Sequence, residues 1–169
     1  MPEITTVSGK RIDLLNPDLS QIDIEDIAHH LALINRYSGA TSLPYSVAQH
    51  SVYVANATNS LEGLLHDAHE AYIGDVTTPV KEAMIQLDCD DAYTILDRQW
   101  TQHIVNRFNL NVDAMDLIHD ADVGVRQDEL RLLKGIETPV YYLKRIQPWG
   151  WRKAKRKFLE TYERLNGPR

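Results

Sequence analysis

The sequence predicts a compact all-α domain with a small β-hairpin at its N-terminus. Apolar residues recur at helical spacing through most of the chain, whereas the alternation typical of strands is confined to residues 4–14. Hydrophobic residues make up 43% and charged residues 25% of the 169 positions, close to globular averages. Because no linker, repeat or low-complexity tract divides the chain, we expect residues 1–169 to form a single domain with one core.

Local patterns predict the elements in chain order. The turn residues Ser8 and Gly9 close the predicted hairpin. Asp23 has the position of a helix N-cap, and Asp26 stands at the capping-box position. Helical stripes then predict a helix that begins at Pro44 and further helices over residues 61–71, 79–87, 90–108, 112–133 and 151–165.

Composition narrows the class of partner. The lone Cys89 excludes an intrachain disulfide and a multi-thiolate metal site, and it suits a reducing compartment. No apolar run approaches the roughly 18 residues that span a bilayer, and the N-terminus lacks the apolar core of a signal peptide. The net charge of −6 argues against binding to long nucleic acid but not against a small anionic ligand. We therefore expect a cytoplasmic protein without membrane or long nucleic-acid partners.

Ionisable residues cluster in the apolar segment 64–75. His66 and Asp67 are adjacent there, Glu70 follows three residues after Asp67, and Asp75 ends the segment. Burying such groups costs several kcal/mol each unless something compensates them. A divalent cation is the simplest compensation, because it uses carboxylates and neutral imidazoles as ligands.

Two other predicted helices supply the remaining ligands of this metal site. His50 lies on the helix that begins at Pro44, and Asp122 lies on the helix over residues 112–133. Helices that converge on one point commonly build metal sites in bundle cores. The predicted ligand set is therefore His50, His66, Asp67 and Asp122. Two imidazoles and two carboxylates suit Zn, Co, Mn, Fe or Ni better than Ca.

These residues and their neighbours resemble the HD-domain superfamily of metal-dependent phosphohydrolases, in particular its small nucleotidase branch. Residues 45–51 resemble the segment around the first metal ligand of that branch, and residues 65–75 resemble its central motif. Asp122, followed seven residues later by Glu129, resembles its last motif. The resemblance extends over residues 36–133.

The resemblance implies an HD-type helical bundle that holds one divalent transition-metal ion per subunit and assembles as a homo-oligomer. Glu70 matches the catalytic carboxylate of the family and would orient or deprotonate the attacking water. Asp75 matches a second acidic residue that acts as base, acid or sugar contact. Glu129 is expected to support the ligands rather than to bind the metal.

Three further side chains are candidate phosphate contacts. Arg36 and Lys81 stand where related enzymes place phosphate-binding cations, and an arginine can grip phosphate through two parallel hydrogen bonds. His119 and Asp120 form a second His-Asp pair, but the flanking pattern with Glu129 favours Asp122 as the ligand. His119 lies one helical turn before Asp122, so it is a candidate for contact with phosphate or base.

The reaction that the resemblance implies is hydrolysis of a (deoxy)nucleotide phosphate ester by water attack at the α-phosphorus. Two substrates remain open: a deoxynucleoside monophosphate, as for a 5′-nucleotidase, or a deoxynucleoside triphosphate such as dATP. One alternative is an HD scaffold that binds a nucleotide without turnover. Another is a phosphodiesterase that acts on a different nucleotide.

Overall fold

The computed structural model describes residues 2–89 and 91–167, and the side chains of residues 114–116 also lie outside this description. The elements are β1 (Glu3–Thr5), β2 (Arg11–Asp13), α1 (Ile24–Leu33), α2 (Val47–Thr58), α3 (Leu61–Leu65), α4 (Glu70–Ile73), α5 (Thr78–Gln86), α6 (Asp91–Phe108), α7 (Met115–Lys134) and α8 (Trp151–Asn166). Short 3₁₀ turns cover Leu19–Gln21, Arg36–Gly39 and Val112–Ala114. The mostly helical class with an N-terminal hairpin is thus confirmed. The predicted helix start at residue 90 lies outside the described residues.

The core lies between α1, α2 and α8, with α3, α4 and α6 closing its sides. Trp100 of α6 and Phe158 of α8 are among its largest fully buried side chains. A second, smaller apolar cluster joins α2 to α7 through Val54 and Val125. None of the helices in residues 2–89 and 91–167 combines the length and apolarity needed to cross a bilayer. The two clusters hold α2 between the main core and α7.

The hairpin is bound to α1 by the side chain of Asp26, which was predicted to complete a capping box. Strands β1 and β2 pair antiparallel, and Asp23 caps α1 by accepting the backbone N–H of Glu25 at 2.8 Å. Asp26 does not complete a capping box, so that prediction is wrong. Its carboxylate instead accepts the backbone N–H of Ser8 at 3.0 Å and the Ser8 hydroxyl at 2.7 Å.

Helix α2 begins later than the predicted start at Pro44. Ser46 is its N-cap and accepts the backbone N–H of Gln49. The backbone N–H of Arg36 donates to the carbonyl of Tyr45 at 2.9 Å, in a short antiparallel bridge beside Asn35 and Ser46. This pairing keeps the chain extended up to residue 46 and holds Arg36 next to the start of α2.

The predicted helix over residues 61–71 is broken into α3 and α4. The Nδ1 atom of His66 donates to the carbonyl of Gly63 at 2.9 Å, which is the acceptor that a continuing helix would use for Asp67. The backbone N–H of Ala68 reaches back only three residues, to Leu65. Gly63 itself packs so closely on α2 that an added Cβ would lie 3.3 Å from the Cα of Ala55. The break places the His-Asp pair in a tight turn that faces α2.

Candidate metal centre

Three segments bring a group of potential metal ligands together. Helix α2 supplies His50, the turn between α3 and α4 supplies His66, and α7 supplies Asp122. The Nε2 atom of His50 lies 2.9 Å from Oδ1 of Asp122 and 3.3 Å from Nε2 of His66. The Nε2 atom of His66 lies 3.9 Å from the same Asp122 oxygen. The three ligand atoms lie within 4.8 Å of one another and can hold a metal ion.

Asp67 lies beside this group. Its Oδ2 atom is 3.1 Å from Nε2 of His66 and 3.7 Å from Nε2 of His50. Two ligand atoms that are each about 2.1 Å from an ion are about 3 Å apart at a right angle and about 4.2 Å apart when opposite. The distances within the group of His50, His66 and Asp122 fall in this range. Asp67 is close to both imidazoles but is not part of that group, so its role as a fourth ligand remains a prediction.

Both imidazoles are oriented by the nitrogen that faces away from the group. Nδ1 of His50 lies 2.6 Å from Oε1 of Glu129, and Nδ1 of His66 lies 2.9 Å from the carbonyl oxygen of Gly63. Each of these oxygens can only accept, so each Nδ1 carries the proton. In the neutral rings the two Nε2 atoms therefore face each other as acceptors. Two acceptors at 3.3 Å repel unless a proton or a metal cation lies between them.

Glu129 is the buried residue that connects the candidate metal group to the surrounding side chains. Its carboxylate is fully buried, and four side chains donate to it: Arg36, Tyr37, Tyr45 and His50. Burial alone would raise the pKa of Glu129, but Arg36 and His50 lower it to about 2. The carboxylate is thus ionised and held in one orientation. Glu129 thus orients the His50 imidazole, and its support of a bound metal remains a prediction.

The acids around His50 favour a positive charge at this imidazole. Burial and the Arg36 guanidinium lower the pKa of His50, but Glu129 and Asp122 outweigh them and raise it to about 9. A metal ion can supply that charge in place of the proton. Burial alone would raise the pKa of Asp122, but the bond to His50 lowers it, so this ligand is ionised.

Arg36 lines the cavity, and its guanidinium already contacts two carboxylates. Its Nε donates to Glu129 at 3.2 Å, and its Nη1 lies 3.4 Å from Oδ2 of Asp67. Burial alone would lower the pKa of Arg36, but Glu129 and Asp67 raise it well above its usual value. The guanidinium therefore links the buried support to a ligand, and its predicted phosphate contact remains a prediction.

A cavity of about 570 Å³ opens next to the metal group. The predicted residues that line it are Arg36, Asp67, Glu70, Asp75, Lys81 and Asp122. Glu70 is buried, and its Oε2 has no hydrogen-bond partner among the described residues. Burial, then Asp67 and Asp75, raise the pKa of Glu70 well above its usual value. Burial also raises the pKa of Asp75.

The other two predicted phosphate contacts differ in position. Lys81 lines the cavity from α5, where its Nζ lies 3.8 Å from Oδ1 of Asp97 and 5.3 Å from the centre of the Tyr93 ring. His119 is exposed on α7 and is not among the side chains that line the cavity. The described part of the chain therefore brings Lys81 to the site but not His119.

Sequence reasoning missed several residues of the site. Tyr37 and Tyr45 both donate to Glu129 at 2.7 Å, and no local pattern signals that contact across more than 80 residues. Arg126 lines the cavity from α7, and its signal was available: it stands four residues after Asp122, on the same helical face. Leu130 and Ile136 add apolar surface beside it.

Comparison with known proteins yields relatives without a stated activity. No model of a known protein family matches the chain. The uncharacterized protein RCAP_rcc00048 of Rhodobacter capsulatus is 42% identical over 116 residues, which cover 62% of this chain and 57% of that protein. The uncharacterized protein YfdR of Escherichia coli is 42% identical over 89 residues, or 50% of this chain and 49% of that protein. The chain spans about half the length of the curated relatives it matches.

Proposed function

We propose that the chain is a metal-dependent phosphohydrolase of the HD superfamily that hydrolyses the phosphate esters of (deoxy)nucleotides. One observation carries the proposal: the Nε2 atoms of His50 and His66 face each other at 3.3 Å while both Nδ1 atoms are committed as donors. That arrangement suits a cation shared by the two rings, with Asp122 and Asp67 as further ligands. Two imidazoles and two carboxylates leave positions open for substrate on an ion that accepts six ligands.

The ion would supply Lewis acidity, which draws charge from a phosphoryl oxygen and makes nearby water more acidic. Glu70 would orient the attacking water and accept its proton. Its unpartnered buried oxygen supports this role, because Glu70 lines the cavity and none of the described residues uses this acceptor. Asp75 would serve the leaving group or the sugar from the same cavity.

The cavity supports a nucleotide as the ligand class. Its volume of about 570 Å³ lies within the range of about 300–1,000 Å³ typical of small-molecule sites. Arg36 and Lys81 supply positive charge near the metal group, which would stabilise the charge on the phosphate oxygens. Val76 and Pro79, which follow Asp75 in the cavity lining, supply apolar surface on which a base or sugar can pack.

The test is hydrolysis of a substrate panel. Metal-loaded and chelator-treated protein are incubated with deoxynucleoside mono- and triphosphates, and orthophosphate is resolved from tripolyphosphate. We expect turnover that disappears on chelation and returns with a transition metal. Nucleotide binding without any product would instead show a scaffold without turnover.

Variants connect the result to the named residues. His66→Ala should lose the metal and all measurable turnover, whereas His119→Ala, in the second His-Asp pair, should keep the metal. Glu70→Gln should keep the metal and lose turnover by about 100-fold or more. Metal content by mass spectrometry and product formation are measured on each. Undiminished activity in His66→Ala or Glu70→Gln would refute the mechanism.

A further inference from the structure

The positively charged side chains that line the cavity differ in the partners that they contact. There are four in the described part of the chain: Arg36, Lys81, Arg126 and Lys134. Arg36 is held by Glu129 and Asp67, and Lys81 lies near Asp97. The Nζ atom of Lys134 lies 5.4 Å from the centre of the Tyr37 ring. For Arg126, no ion pair or hydrogen bond is found with the described residues.

Arg126 is also partly desolvated. Its Nε is buried and has no acceptor within the described ranges. A buried donor without a partner is costly, so such a group in a cavity wall is expected to meet its acceptor in a ligand. A guanidinium presents several N–H groups in a plane and matches the oxygens of a phosphate. Its chemistry therefore points to an oxyanion.

The position of Arg126 indicates which part of a phosphate chain it would meet. It follows Asp122 by four residues on α7, so it lies about 6 Å further along the same helical face. A phosphate at the metal group would lie beside Asp122, and the next phosphates of a chain would lie towards Arg126. Lys134 continues the same wall of the cavity towards the end of α7.

We propose that Arg126 binds the phosphate chain of the substrate beyond the phosphate at the metal group, and that it thereby favours nucleoside triphosphates over monophosphates. Arg36 then acts as a positioning residue for Glu129 and Asp67 rather than as the main phosphate contact. The inference rests on the proposed function for the identity of the substrate. The anion site itself can be measured without it.

Binding of inorganic anions tests the site directly. Tripolyphosphate and orthophosphate are titrated by calorimetry into the metal-loaded protein, and the metal content is measured after each titration. We expect Arg126→Ala to weaken tripolyphosphate binding by about 10-fold or more and orthophosphate binding by less than about 3-fold. Arg152→Ala removes an exposed arginine outside the cavity and is the matched control for lost charge.

A second variant guards against a folding defect. Arg126→Lys keeps the charge and the aliphatic stem but loses the planar pair of donors, so its affinity for tripolyphosphate should lie between those of the wild type and Arg126→Ala. Thermal unfolding is recorded for both variants. Equal weakening of both anions, or none in either variant, would overturn the inference.

Kinetics separates this inference from the proposed function. If the protein hydrolyses nucleotides, Arg126→Ala should lower the ratio of kcat/KM for triphosphate over monophosphate by about 10-fold, mainly through KM. An unchanged ratio would contradict the role of Arg126 while leaving the hydrolase intact. Selective loss of tripolyphosphate binding in a protein that hydrolyses no nucleotide would refute the proposed function and keep the anion site.

Discussion

Two neighbouring carboxylates on α7 are equally buried but serve different regions. Asp128 and Glu129 are both fully buried, and each accepts four hydrogen bonds. Glu129 receives them from side chains 79 to 93 residues away, including the candidate ligand His50. Asp128 receives them from Arg131 and from the backbone N–H groups of residues 141–143, at most 15 residues away.

The contrast shows that a buried carboxylate can stabilise either a candidate functional site or a local segment of the fold, although the cost of burying the charge is similar. Ionised groups are buried only when charge or hydrogen bonds compensate them. The partners of Glu129 are the candidate ligand His50, Tyr45 just before α2, and Arg36 and Tyr37 of the preceding segment, so its loss should disturb the candidate metal centre. The partners of Asp128 are Arg131 of α7 itself and the backbone of residues 141–143, so its loss should loosen only the attachment of the segment after α7.

The largest expected effect comes from Glu129→Gln. The amide would leave at least one of its four donors without an acceptor and would remove the charge that faces Arg36 and His50. We expect the metal to bind about 10- to 100-fold more weakly and the free energy of unfolding to fall by about 3 kcal/mol. Metal titration and urea unfolding measure the two effects. An unaffected metal affinity would show that Glu129 is structural only, like Asp128.

A smaller and pH-dependent effect is expected for Asp128→Asn. Burial alone would raise the pKa of Asp128, but Arg131 and the backbone N–H groups of residues 141–143 lower it. A lowered folded-state pKa means that the ionised form stabilises the fold above the unfolded-state pKa of about 3.9, and that this contribution disappears as the pH falls through the folded-state value. The variant should lose about 2 kcal/mol of stability at neutral pH.

The comparison of wild type and variant across pH isolates this group. The difference in unfolding free energy should be constant from about pH 5 to pH 8 and should shrink below about pH 4. Metal affinity at neutral pH should stay within about 2-fold of the wild type, since no partner of Asp128 touches the metal group. A difference that is flat down to pH 2, or a large loss of metal, would contradict the assignment.

The smallest effect is expected for Arg131→Met. Arg131 donates through Nη2 to Asp128 at 2.8 Å and to the carbonyl of Leu143 at 2.7 Å, but its side chain is partly exposed. Asp128 keeps three backbone donors in this variant. We expect a loss of about 1 kcal/mol in urea unfolding, with the metal affinity unchanged. A loss larger than that of Asp128→Asn would mean that Arg131, not Asp128, holds the segment.

The candidate metal group of His50, His66 and Asp122 was predictable because each of these residues lies in a recognisable local pattern. His66 and Asp67 are polar residues in an apolar segment, and His50 and Asp122 lie on separate predicted helices. The supporting position of Glu129 was also predictable from its spacing to Asp122. The mostly helical fold with its hairpin followed from periodicity, which survives tertiary packing.

The misses share a physical cause. The break at residues 66–69 depends on the ring of His66 taking the Gly63 carbonyl, and the late start of α2 depends on backbone pairing with the segment before it. Asp26 does not complete the capping box because its carboxylate accepts a hydrogen bond from Ser8, which lies 18 residues away. Such contacts form only when the chain has folded, so a local sequence pattern cannot predict them.

The close packing of Gly63 on α2 also bears on the spacing of the two imidazoles. Gly63 lets α3 and α2 approach each other, and its carbonyl orients the His66 imidazole. His50 lies on α2, the facing helix. A methyl group at this glycine would clash with Oγ1 of Thr58 and lie 3.3 Å from the Cα of Ala55, so it would force α3 away from α2. The missing side chain thus ties the distance between the two backbones to the relative position of the two imidazoles.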